Sequence, residues 1–383
     1  MTSISTSAPV VPGRLEQFST RVAFFIAGFS LAAWAPLVPY AKARVGLDEG
    51  TLGLLLLCLG VGSIIAMPLA GALAARVGCR RVLLLSSAII CLCLPLLATV
   101  SSLPLLVAVL FVFGASMGAL DCAVNVQAII VERASGNTMM SGFHGLFSLG
   151  GIVGAAGVAG LLSLGASPLM AMFVVVAIVL FALLKAAPHF LTYASESDGP
   201  AFAVPRGVVL FLGLLCFTVF LSEGAMLDWS AVFLSELRGV ETSYAGLGYA
   251  VFAFTMTLGR LFGDPVVRRV GPRRVVILGG LCAAAGLALA TLLPTWQAAL
   301  LGYALVGAGC SNIVPICYSA LGRQKSMPEN VAVPALTTLG YAGILIGPAA
   351  IGFIAHASSL ELAFMIVAGM LLAVAAAGTR LKV

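Results

Sequence analysis

"RVGCRRV" at residues 76–82 and "RVGPRRV" at 269–275 differ at one position and stand half a chain apart. Each is a basic island in a chain with almost no charge. Of 383 residues 9% are Asp, Glu, Lys or Arg and 61% are hydrophobic, and the mean hydropathy is +1.14. A soluble domain carries about 25% charged residues. A chain this apolar has too few polar groups to cover a water-facing surface, so lipid is the expected solvent for most of it. In a soluble protein a net charge of +6 would point to nucleic acid. Here the Lys and Arg residues sit between apolar runs, where they set orientation, and no nucleic-acid partner is expected.

Working outward from the two islands, apolar runs long enough for a bilayer core of about 30 Å, which takes about 20 residues per helix, fall at 21–41, 51–75, 82–100, 104–131, 141–163 and 168–187, and again at 207–236, 243–266, 275–293, 296–322, 331–356 and 360–380. Breakers such as "KARVGLDEG", "RASGNT" and "PTW" separate them. The longest non-apolar stretch, 189–206, divides six spans from six. The expectation is an all-α integral membrane protein: a six-helix half over 1–188, a cytoplasmic linker over 189–206 and a second half over 207–383. The first run is long and followed by many like it, which excludes a cleaved signal peptide. With twelve spans both termini share a side. Of the 20 Lys and Arg residues, Lys42, Arg44 and Arg238 alone fall on the other side. The positive-inside bias therefore predicts cytoplasmic termini in a cell (inner) membrane.

Both heptapeptides follow the second span of a six-span set. Gly118 and Asp121 in span four recur as Gly309 and Asn312 in span ten. Two halves in parallel orientation are a transporter signature, with the solute site near midplane where they meet. Gly78 and Gly271 suit the positive φ of a helix C-cap. Arg76, Arg80 and Arg81 in one loop, and Arg269, Arg273 and Arg274 with Arg260 and Asp264 in the other, are candidates for a latch on the cytoplasmic face or for simple topogenic anchors.

"GALAARVGCRR" (71–81) and "GRLFGDPVVRRVGPRR" (259–274) resemble the loop signature of the major facilitator superfamily. The family pattern has an acidic residue before the basic pair. Ala75 occupies that place in the first copy, whereas Asp264 supplies an acid in the second. The resemblance implies the twelve-helix fold of that superfamily and transport by alternating access. "DCAVNVQ" (121–127), "GFHGLFSLGG" (142–151) and "EGAMLDWSAVFL" (223–234) are similar to the MosC-like branch, related to fucose permeases.

A charge at the bilayer centre costs at least about 2.5–3.5 kcal/mol on insertion scales, so each acid inside a span needs a reason. Asp121 lies mid-span with Asn125 one turn on. Gly114 and Gly118 share that side and admit a close neighbour, helix or solute. Asp121 is either a proton or solute site or a hydrogen-bonded tie between helices. Glu223 lies near midplane and Asp228 further out, and an unbroken helix aims the two in different directions. Glu223 reads as a cavity carboxylate, Asp228 as outer cavity wall or interfacial anchor. His144, at the cytoplasmic start of span five, is a relay candidate because histidine titrates near neutral pH, or else a packed core histidine. Asn312 and Tyr318 are candidate solute contacts. Trp34, beside Pro36 and Pro39, is a candidate stacking surface for a sugar at an irregular helix end. The acids stand isolated, without the converging oxygen ligands a sodium site needs, and a carboxylate buried without a fixed cation takes up a proton more readily.

The nine cysteines lie mostly in apolar runs and no C-x-x-C occurs. That spacing favours buried thiols over a disulfide or zinc framework, and no metal or cofactor is expected. H-E-x-x-H and G-K are absent, which argues against a membrane metalloprotease and an ATP-driven pump. A sensor would need a soluble domain that the loops are too short to hold. The expectation is a monomeric, proton-coupled secondary transporter or symporter for a small polar solute such as a sugar or cyclitol. Efflux of drugs or metabolites is the alternative.

Overall fold

The computed structural model of the chain describes residues 12–194 and 204–381. Lipid offers backbone N–H and C=O groups no partner, so a spanning segment satisfies them internally as a helix. Eleven helices are long and apolar enough to cross a membrane, and a bent pair makes a twelfth. In chain order the spans are 1, Arg14–Val45; 2, Thr51–Val77; 3, Cys79–Thr99; 4, Leu103–Ser135; 5, Met140–Ser163; and 6, Pro168–His189. The second half continues with 7, Gly207–Leu237; 8, Leu247–Leu261 with Gly263–Val270; 9, Pro272–Leu292; 10, Trp296–Leu321; 11, Glu329–Ala357; and 12, Leu360–Gly378. Residues 195–203, in the expected linker, and Lys382 lie outside the described residues.

Local chemistry sets the ends. Asp48, Ser167, Thr295 and Ser359 each accept a backbone N–H three residues on, the usual N-cap device. Gly78 and Gly271 have φ of 85° and 91°. A Cβ on Gly78 would lie 2.0 Å from the Thr192 carbonyl oxygen. That close approach lets Arg80 N donate to Leu191 O at 2.7 Å, tying the first arginine loop to the chain that leaves span 6.

Five of the described spans are not uniform helices, span 6 ending in a 3-10 turn at Ala187–His189. Span 1 passes through a 3-10 turn at Ala35–Leu37, where Pro36 cannot donate. Span 7 ends in a π-helical turn, Phe233–Leu237. Span 8, expected as one helix over 243–266, bends by 61° between Leu261 and Gly263. Span 10 breaks at Ser311–Asn312.

Packing repeats between halves. Span 1 lies on 5, 2 on 4, and 3 on 4 and 6; likewise 7 lies on 11, 8 on 10, and 9 on 10 and 12. Across the halves span 2 meets 11 and span 5 meets 8. Small residues make these contacts close: Ser63 Oγ donates to Gly114 O at 2.7 Å, and a Cβ on Gly114 would stand 2.0 Å from Leu59 O. The neighbour admitted by Gly114 and Gly118 is thus span 2 itself. The arginines on the side away from the termini repeat too. Arg44 donates to the carbonyls of Leu97, Ala98 and Val100 at the end of span 3. Arg238 donates to those of Ala290 and Thr291 at the end of span 9.

Candidate functional site

A cavity of about 630 Å³ lies between the halves, lined from spans 1 and 5 on one side and 7, 8 and 11 on the other. Its walls are mostly alanine and larger apolar side chains, among them Leu31, Phe147, Ile152, Leu227, Phe252 and Ile344. Its polar side chains are Ser148, Glu223, Tyr249, Thr257 and Arg260. Arg260 Nη2 meets Glu223 Oε1 at 2.7 Å, Nη1 donates to Ser148 Oγ at 2.9 Å, and Nε donates to Ser311 O at 3.3 Å. One guanidinium thus joins span 8 to 7 and 10 in its own half and to 5 in the other. It was expected in the cytoplasmic loop. It instead sits inside the first helix of span 8 with its side chain 6% exposed. The expected span 243–266 already enclosed it, and that enclosure was the signal that it is an interior charge.

A second polar cluster lies outside the cavity lining. Asp121 and Asn125 are buried in span 4, and Asn125 Nδ2 donates to Asp121 O at 2.9 Å and Oδ1 at 3.4 Å. Among the described residues no Lys, Arg or His pairs with Asp121. Tyr318 and Tyr341 are within electrostatic reach of it. Tyr318 shares a 2.8 Å hydrogen bond with Thr337. His144 packs between the rings of Phe24 at 5.1 Å and Tyr318 at 5.4 Å, and its Nε2 has no hydrogen-bond partner. Of the two acids, Glu223 lines this cavity and Asp121 does not.

The remaining candidates fall elsewhere. Asn312 donates to Gly259 O at 3.0 Å, and its Oδ1 sits where a Cβ on Gly263 would be, so it braces the bend of span 8. Trp34 is buried in the core and does not line the cavity. Asp228 is exposed, and its neighbour Trp229 donates to Pro348 O at 3.1 Å.

On the side bearing the termini the halves are joined. Asp264 accepts from Ser141 N at 3.0 Å and Gly142 N at 2.9 Å, capping span 5 across the interface. Thr138 Oγ1 donates to Asp264 O, and Arg133 reaches Glu329 and Gly322 O. Arg76, Arg81, Arg269, Arg273 and Arg274 are exposed and Arg80 is half-buried. Arg133 and Glu329 carried no sequence motif, and only the fold brings them together.

A profile of the Major Facilitator Superfamily matches residues 22–330 and 213–382. The chain belongs to the major facilitator superfamily. It is 57% identical over 368 residues to an uncharacterised MFS-type transporter of Yersinia pestis, covering 96% of each chain. It is 31% identical over 361 residues to membrane protein MosC of Rhizobium meliloti, covering 92% of this chain and 87% of that one. The fold superposes on the E. coli fucose:proton symporter FucP with a TM-score of 0.81 at 18% identity, over 96% of this chain and 98% of that one. As a member of the superfamily it is a transporter and not an enzyme. Its cavity is lined by helices of both halves.

Proposed function

We propose that the chain is a proton-coupled secondary transporter working by alternating access in the inner membrane, with its termini in the cytoplasm and the interhelical cavity as its solute site. The observation that carries this reading is a cavity lined by both halves, with its ion pair at one end and the interface sealed on the terminal side. Because one chain completes the site, the working unit is a monomer. The linker over 189–206 connects two halves that rock as units.

The fold shared with a fucose:proton symporter supports a sugar or cyclitol. The lining modifies that expectation: its polar groups gather around Arg260, and the walls elsewhere are apolar. Such a site favours a solute polar at one end over one hydroxylated all round. Coupling is assigned to the carboxylates Asp121 and Glu223, Asp121 being buried without a paired cation among the described residues and having His144 and Tyr318 as its neighbours toward the cytoplasmic side. The test is solute uptake into proteoliposomes under an imposed pH or sodium gradient. Asp121→Asn combined with Glu223→Gln is expected to abolish pH-driven accumulation while keeping solute exchange. Uptake that follows sodium and ignores pH defeats the reading.

A further inference from the structure

We propose that Arg260 is the receptor for a carboxylate on the transported solute, and that Glu223 occupies this receptor when no solute is bound. This rests on the reading of the cavity as the solute site. Two of the three contacts of Arg260, to Ser311 O and Ser148 Oγ, hold the guanidinium without help from Glu223. Glu223 is the looser partner, with its side chain 18% exposed to the cavity against 6% for Arg260. Arginine presents a planar fork that matches a carboxylate, and the apolar walls suit a body with a single ionised end.

Charge conservation selects an anion over a cation. A solute ammonium would take Glu223 and leave Arg260 buried and uncompensated, and a guanidinium cannot shed its charge. A solute carboxylate would take Arg260 and leave Glu223 unpaired, and Glu223 can become neutral by binding one proton. The site then holds one cation and one anion before and after, so one proton enters with each monocarboxylate. Among the described residues the groups within electrostatic reach of Glu223 offer no substitute cation: Tyr249 on span 8, Cys310 on span 10, Tyr341 on span 11 and Cys216 on its own span. His144 of span 5 faces Arg260.

The experiment is calorimetry on the purified full-length protein with benzoate, 3-phenylpropionate and hexanoate. Their amides and phenethylamine serve as controls, and each titration is run in two buffers of different ionisation heat. The carboxylates are expected to bind, the amides and the amine not. About one proton is taken up per carboxylate, so affinity falls about tenfold per pH unit toward alkaline pH. Glu223→Gln should bind carboxylates with no proton uptake and a flat pH profile, and Arg260→Gln should lose binding. If Glu223→Gln does not fold, the wild-type proton count decides alone. Carboxylates that fail to bind, amides or the amine that bind as well, or binding without proton uptake overturns the proposal. pH-driven uptake of a neutral polyol, indifferent to carboxylates, would do the same and leave the proposed function standing. Carboxylate binding without gradient-driven movement would remove the proposed function and keep the receptor.

Discussion

Asp264 places one carboxylate against two backbone N–H groups at the start of span 5. Those donors have no partner within their own helix, and the positive end of the helix dipole adds to the attraction. The acid belongs to the other half, so the cap is also a tie across the interface. Asp264→Ala is expected to cost about 1 kcal/mol, the usual worth of such a cap, and to shift the balance several-fold toward opening on the terminal side. Amide hydrogen exchange of residues 139–146 reads this directly: it should rise in the variant and stay low in wild type. Unchanged exchange would mean that Asp264 does not hold the seal. The acid was visible in the second arginine loop. Its partner was not, because nothing in the sequence states that span 5 begins beside it.

At the scale of the helix, the pair Arg44 and Arg238 explains why the side away from the termini has any arginine at all. Each ties the outer end of the first span of its half to the terminal carbonyls of the third. Removing either side chain leaves buried acceptors without a donor, at about 1–3 kcal/mol. Arg44→Ala and Arg238→Ala are each expected to lower the Tm measured in detergent, whereas Arg81→Ala, at an exposed position in the first turn of span 3, should leave it unchanged. The spans, their number and the repeated loops were legible because hydropathy and charge follow directly from the solvent each segment meets. The breaks in spans 8 and 10 and the pairing of Arg260 with Glu223 were not. They depend on distances between helices, and the arginine-loop motif drew Arg260 into a loop although hydropathy already placed it inside the span expected over 243–266. Glu223, expected as an isolated acid, instead has a cation at 2.7 Å.

Across the whole molecule, the contacts between halves exchange symmetrically, span 2 with 11 and span 5 with 8, yet the terminal-side seal is chemically unequal. At the junction of 5 and 8 it is a hydrogen-bonded cap from Asp264. At the junction of 2 and 11, where Ala75 stands in place of the family's acid, it is close packing. A Cβ on Gly71 would lie 2.2 Å from Pro334 Cγ and 2.7 Å from Asn330 O. Beside this junction Arg133 on span 4 bridges to Glu329 at the start of span 11. If the halves rock to open this side, that bridge must part in every cycle. Arg133→Cys with Glu329→Cys, joined by a cleavable thiol cross-linker after the half-buried Cys58 and Cys282 are replaced, is therefore expected to stop transport. Solute binding from the outer side should survive, and cutting the linker should restore transport. Cross-linked protein that transports at the uncut rate would show that the two halves need not separate there, and the rocking mechanism would have to be abandoned for this chain.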